Sequence, residues 1–220
     1  TDVRPGDRVF VHHHAPCFTC RACQRGEFVQ CATWRSSRIV PGGMAEYFLV
    51  PKENLAGDTL RLPDDLSFAD GSLVEPAACV VKSLRKSGLQ GGESVFIIGL
   101  GIMGQLHVAL ARQANAGQII GTDFVAYRRE RAQQLGADIS FDPAQGDVVE
   151  QLRAYTKGAM AEVVIVGPGS VEAMELGLKC VAKGGTVVLF TTSTPEARLA
   201  VSPYDLYFNE IRLIPSYSCG

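Results

Sequence analysis

No apolar run in the chain approaches the roughly 20 residues that a membrane-spanning helix requires. An excess of positive charge is also missing: the 220 residues carry a formal net charge of −2, which leaves no basic footprint for nucleic acid or an anionic lipid surface. There is no low-complexity tract, and the opening Thr1-Asp2-Val3-Arg4-Pro5 has neither signal nor transit character. These absences predict a cytoplasmic protein that works on a small molecule, with no nucleic-acid partner and no membrane. With 46% hydrophobic and 20% charged residues the chain is ordinary globular material, long enough for one large domain or two smaller ones.

Cysteine is what stands out against this background. Cys17, Cys20, Cys23 and Cys31 form a Cys-x2-Cys-x2-Cys-x7-Cys run. Two-residue gaps let one turning segment present successive thiolates to a single tetrahedral centre, the closed ligand set of structural zinc. The intervening Thr19, Arg21, Gln24, Arg25, Gly26 and Glu27 have few apolar side chains with which to hold a fold. A metal would staple them, since ligation in small zinc peptides is worth about 10–16 kcal/mol. Disulfides suit small secreted scaffolds better than a chain of this length with 7 Cys. A redox Cys-x-x-Cys would use two cysteines, not four. Iron in a four-thiolate site is the nearest chemical rival, because ligand type alone does not separate it from zinc.

Residues 1–76 read as short strands and loops, with the zinc lobe at 17–31. Arg8–Val11 is strand-like, and Pro41-Gly42-Gly43 leads into a strand-like Glu46–Val50 closed by Pro51. A helix is expected over Pro76–Ser87, with proline at its first position and Gly88 beyond its end. From about residue 77 to 215 strands and helices alternate. Ser94–Ile98, Gln118–Thr122, Ile139–Phe141, Glu162–Val166 and Thr186–Phe190 are short and apolar, as strands covered on both faces must be. The fold class is therefore α/β, with a doubly wound parallel sheet of Rossmann type after a smaller β-rich domain.

Gly99-Leu100-Gly101-Ile102-Met103-Gly104 is a G-x-G-x-x-G, a weak signal alone that gains force from following Val95-Phe96-Ile97-Ile98 and opening a helix. Gly99 permits the turn, Gly101 lets backbone approach a pyrophosphate, and Gly104 brings helix and strand together. Asp123, at the end of the next strand, stands where a carboxylate would bind ribose hydroxyls and repel the 2′-phosphate of NADP. That repulsion is at most about 4 kcal/mol at about 4 Å and an effective dielectric of 20. NAD is the expected cofactor over NADP, although Arg128 could receive that phosphate. Asp123 as a solvated turn carboxylate and Arg128 as part of a solvated helix face, among Arg129 and Arg131, are the plain alternatives.

The cysteine lobe upstream of this unit, together with Pro5-Gly6-Asp7-Arg8-Val9, His13-His14-Ala15-Pro16-Cys17, Gly42-Gly43-Met44-Ala45-Glu46-Tyr47, Leu62-Pro63-Asp64-Asp65 and Glu75-Pro76, resembles the zinc-dependent medium-chain alcohol and polyol dehydrogenases, in particular the sorbitol- and threonine-dehydrogenase-like branch. The resemblance implies a GroES-like catalytic domain joined to the Rossmann domain, a structural zinc on the four cysteines and a catalytic zinc. Glu75 matches a position at that catalytic zinc, while a carboxylate complementing the helix dipole is its bland alternative. Cys79, one turn on, is at most a weak contact. The loops Val166-Gly167-Pro168-Gly169 and Phe190-Thr191-Thr192 match segments that contact the nicotinamide end. Reversible oxidation of a secondary alcohol or polyol by a homodimer or homotetramer is implied.

Complete members supply a Cys and a His-Glu pair for the catalytic zinc upstream of the lobe, and this chain has no counterpart. Pro215-Ser216-Tyr217-Ser218-Cys219-Gly220 resembles the return to the catalytic domain, over 216–220. The sequence therefore resembles the middle of an enzyme. His12, His13 and His14 are expected to be structural or surface residues, because neighbours on a strand point to opposite faces. Two rivals are a non-catalytic NAD- and zinc-binding fragment or pseudoenzyme and a zinc-free, NADPH-dependent quinone reductase-like protein. The four thiols speak against the second, and metal stoichiometry separates all three.

Overall fold

A computed structural model describes residues 3–219, which divide into two compact units. One runs to Cys79 and takes back Ser218 and Cys219; the other is Val80–Tyr217. The first unit holds an antiparallel pair, β1 (Val9–Val11) and β2 (Thr59–Arg61), with Phe10 opposite Leu60. Short helical segments at Arg21–Gln24, Ala32–Ser36 and Lys52–Gly57 lie between them, and another, Phe68–Gly71, follows β2.

The strand expected over Glu46–Val50 does not form. Among the described residues its sole backbone pairing is an isolated bridge in which Val40 and Leu49 exchange N–H···O bonds of 3.1 and 2.7 Å. One bridge supplies no ladder, and Met44, Tyr47 and Leu49 stay exposed. The helix expected to open at Pro76 begins two residues earlier, over Val74–Ser87. Pro76 is thus third in the helix, where its missing N–H costs nothing because the first-turn donors lack intrahelical acceptors.

The second unit is a six-stranded sheet: β3 (Ser94–Ile98), β4 (Gln118–Thr122), β5 (Ile139–Phe141), β6 (Ala161–Val166), β7 (Val181–Leu189) and β8 (Arg212–Pro215), in spatial order 5-4-3-6-7-8. Every pairing is parallel. Period-two alternation explains why β3 reads as one apolar run. Val95 and Ile97 face a core with Val80, Val108 and Ile165, whereas Phe96 and Ile98 face another with Leu152, Val164 and Met174. Each of these side chains contributes about 1.5–3 kcal/mol on burial. The chain builds outward through β4 and β5, then returns to β6 on the other side of β3. Strand order reverses there, and the carboxyl ends of β3 and β6 diverge into a crevice suited to ligands.

Candidate dinucleotide cleft and metal-ligating clusters

The turn after β3 is shaped by what its glycines lack. Gly99 adopts φ +85°, a conformation that costs other residues strain. A Cβ on Gly104 would lie 2.0 Å from the Gly99 carbonyl oxygen, so only glycine lets the helix Ile102–Gln113 start this close to the strand. Gly101 differs: its missing side chain faces open space. The cleft beside it has a volume of about 760 Å³ and is lined by Gly99, Gly101, Ile102, Met103 and Gly104, by Asp123 and Arg128, and by Gly167 and Thr191.

Asp123 is buried at 8% exposure, so it is no solvated turn residue. One carboxylate oxygen accepts from the Leu100 N–H at 2.8 Å and the other from Val125 N–H at 2.9 Å. The carboxylate thus pins the glycine turn as well as lining the cleft. Arg128 reaches it at 3.4 Å and is half exposed. Arg129 is committed elsewhere, with one nitrogen on the Asp123 carbonyl and the other 2.9 Å from Asp142. Arg131 donates to Gln134. Of the three arginines only Arg128 stands at the cleft.

Three candidates lie off its wall. Leu100 is fully buried and fills the space over Gly121. Val166 is fully buried in the sheet. Phe190 meets the ring of His107 edge-on at 4.7 Å. His107 itself carried no sequence signal. It is 1% exposed, with Nδ1 2.8 Å from the Met103 carbonyl and Nε2 3.0 Å from Ser83 Oγ. Burial pushes its pKa down to about 4, so the imidazole braces the helix after the glycine turn as a neutral group.

In the lobe, the four sulfurs lie within 4.8 Å of one another, with Cys20 to Cys23 at 3.5 Å and Cys17 to Cys23 at 4.0 Å. Thiolates around tetrahedral zinc stand about 3.8 Å apart, so the donor set fits such an ion. Backbone N–H groups of Cys17 and Cys20 point at the Cys31 and Cys17 sulfurs. The Thr19 hydroxyl, and then the backbone amides of Thr19 and Cys20, pull the Cys17 thiol down to about 5, toward the thiolate a metal requires. The lobe is less polar than its loop composition implies: Val29 and Trp34 are buried beneath Cys23 and Cys31.

Glu75 lies in the first turn of helix Val74–Ser87. Cys79, one turn on, donates to its Oε1 at 3.2 Å, and Cys219 Sγ is 3.5 Å from the same oxygen. His12, left out of the metal candidates on strand alternation, is buried just after β1 with Nε2 3.2 Å from Cys219 Sγ. Burial opposes a charge on His12, but the Asp58 carboxylate and the Cys219 sulfur prevail and push it up to about 10. His13 is exposed, and the His14 ring lies tilted against Trp34 with centroids 4.3 Å apart. Cys219 was overlooked because a lone thiol near residue 219 gives no spacing pattern.

Two family models match the chain. That of the alcohol dehydrogenase GroES-like domain covers residues 1–64, and that of zinc-binding dehydrogenase covers residues 103–220. L-threonine 3-dehydrogenase of Symbiobacterium thermophilum is 33% identical over 190 residues, 86% of this chain and 53% of that protein. A protein of Aspergillus clavatus named probable D-xylulose reductase A is 31% identical over 194 residues, with the same two coverages. The chain therefore spans about half the length of the curated relatives it matches. Among solved structures, one from Sinorhizobium meliloti 1021, classed as a zinc-binding dehydrogenase and bound to NADP, superimposes with a TM-score of 0.89 at 30% identity, covering 100% of this chain and 64% of that one. Alcohol dehydrogenase TADH from Thermus sp. ATN1 gives 0.82 at 26% identity, covering 98% and 64%. With a zinc-binding dehydrogenase model matched over more than half its residues, a GroES-like model over its first 64 and a parallel sheet bearing the dinucleotide turn, the chain belongs to the zinc-binding dehydrogenases of the medium-chain alcohol and polyol type.

Proposed function

We propose that the protein to which this chain belongs reversibly oxidises a secondary alcohol or polyol with NAD. The observation that carries this is the pairing, at one crevice, of the Gly99–Gly104 turn with the buried Asp123 carboxylate. The names of the relatives add the substrate class: threonine carries a secondary hydroxyl at carbon 3, and xylulose is a ketose whose reduction gives one. When bound, a catalytic zinc would lower the pKa of the substrate hydroxyl, and the nicotinamide would accept a hydride from the carbon that bears it.

The chain's own residues prepare that chemistry. Gly99, Gly101 and Gly104 open the backbone to a pyrophosphate at the start of the helix Ile102–Gln113, whose N-terminal amides favour an anion. Asp123 holds Leu100 in place and offers a carboxylate edge to the adenosine ribose, which disfavours a 2′-phosphate. Gly167, which lines the cleft, and Phe190, which packs on His107 behind it, belong to the loops assigned to the nicotinamide end. Cys17, Cys20, Cys23 and Cys31 would hold the structural zinc and leave no open position on it. Glu75 would serve the catalytic zinc. The same reading has the full-length protein act in the cytoplasm as a homodimer or homotetramer, which fractionation and light scattering test.

The cofactor choice is tested by titrating the Arg128→Ala and Asp123→Asn variants with NADH and NADPH. Arg128→Ala should leave the ratio of the two affinities within about threefold, and Asp123→Asn should shift it toward NADPH by about tenfold, some 1.4 kcal/mol. A selective loss of NADPH binding in Arg128→Ala, with no shift in Asp123→Asn, would assign the cleft to NADP.

A further inference from the structure

A dinucleotide held by its pyrophosphate at the Gly99–Gly104 turn sends its two halves to opposite sides of β3, toward β4 on one side and β6 on the other. Asp123, at the carboxyl end of β4, marks the side of the adenosine ribose. Gly167 and Thr191, beyond the carboxyl ends of β6 and β7, line the cleft on the opposite side, so the nicotinamide half lies against them. The position of that second wall decides where the reactive ring sits. Phe190, next to Thr191, stands behind the wall: its N–H donates to the Val166 carbonyl at 3.1 Å, and its ring lies against His107.

His107 meets three segments of the Val80–Tyr217 unit at once. Nδ1 lies 2.8 Å from the Met103 carbonyl, Nε2 lies 3.0 Å from Ser83 Oγ, and the ring stands at 88° to that of Phe190. A carbonyl only accepts, so the ring proton sits on Nδ1 and the Ser83 hydroxyl donates to Nε2. His107 and Ser83 are both buried, and no water competes for these bonds. The edge-on approach to Phe190 is a preferred aromatic geometry. Met103 itself lines the cleft. One imidazole therefore ties the helix of the glycine turn to Ser83 and, through its edge, to the residue that precedes Thr191.

We propose that His107 is a positioning residue for the nicotinamide half of the cofactor. It does not line the cleft; it acts by fixing Met103 on one side and Phe190 with Thr191 on the other, so that the two walls keep one separation. The proposal rests on a dinucleotide occupying the cleft and adds to that reading the side chain that sets where its far half lies. The adenosine half, held by the glycine turn and Asp123, does not depend on His107.

The test compares NADH with ADP-ribose, which carries the same adenosine and pyrophosphate but no nicotinamide, by calorimetric titration of the whole chain. His107→Leu and Phe190→Leu should each weaken NADH about tenfold and leave ADP-ribose within about twofold of its original affinity. Both changes break one contact, so the double variant should lose no more than either single one. Hydrogen exchange without cofactor reads the brace itself. In His107→Leu the Phe190 amide should exchange at least about tenfold faster, while the amides of β4 keep their protection and report a folded sheet. Equal weakening of NADH and ADP-ribose, fully additive losses in the double variant, or unchanged exchange at Phe190 would overturn this proposal alone. Failure of the unaltered chain to bind either ligand would overturn the dinucleotide reading and this proposal with it.

Discussion

Gly101 and Gly104 are three residues apart, but their glycines answer to different demands, and substitution separates them. Alanine at 104 drives a methyl group into the Gly99 carbonyl, so Gly104→Ala should cost about 1–3 kcal/mol of stability in chemical denaturation through overpacking. Alanine at 101 meets nothing within 4 Å in the protein. Gly101→Ala should therefore leave the unfolding midpoint where it is while lowering NADH affinity at least about tenfold, because the methyl group enters the cleft. Equal effects of the two on stability would refute that division of roles. These glycines were legible in the sequence because a strand and a helix flank them. Asp123 was legible in position but not in its contacts, since its bond to the Leu100 amide follows from the turn's conformation. His12 and Cys219 are 207 positions apart, and no local pattern could pair them.

Among the elements, the cysteine lobe gives the most direct physical readout. The single tryptophan of the chain, Trp34, is buried against Cys31 and Cys23. Removing metal from the lobe with a strong chelator should unpack that cluster, shift the Trp34 emission to longer wavelength and open residues 17–31 to protease before the Val80–Tyr217 unit is cut. Emission unchanged after complete metal loss would show that Phe28, Val29 and Trp34 hold the lobe without a staple. The four-cysteine spacing announced this element because each gap is short enough for the local turn to fix the ligand geometry. The strands β3 to β7 were legible for a comparable reason: burial on both faces leaves unbroken apolar runs such as Val163–Val166. Glu46–Val50 misled because its composition suits a strand, whereas strand formation depends on a partner that, among the described residues, only Val40 supplies. β8 and the short helix Pro203–Phe208 escaped notice, being four and six residues long with no clear period.

At the scale of the whole molecule, acid should loosen the sheet unit through His107. Its folded pKa of about 4 lies below the unfolded value of 6.5, so between these values the unfolded state binds more protons. The stability it contributes is complete above pH 6.5 and declines as pH falls toward 4, by up to about 3 kcal/mol. Denaturation at pH 7.5 and pH 5 should show the loss, and His107→Gln should flatten the dependence in this window; an equally steep slope in the variant would place its origin elsewhere. A family-wide architecture does not by itself yield an activity. The decisive measurement is hydride transfer by the full-length, zinc-loaded protein, followed as the near-ultraviolet absorbance of reduced nicotinamide with NAD and NADP against a panel of secondary alcohols that includes polyols and L-threonine. At least one of them should reduce NAD, with the activity lost on chelation and restored by zinc. No reduction of either cofactor by any member of the panel would contradict it.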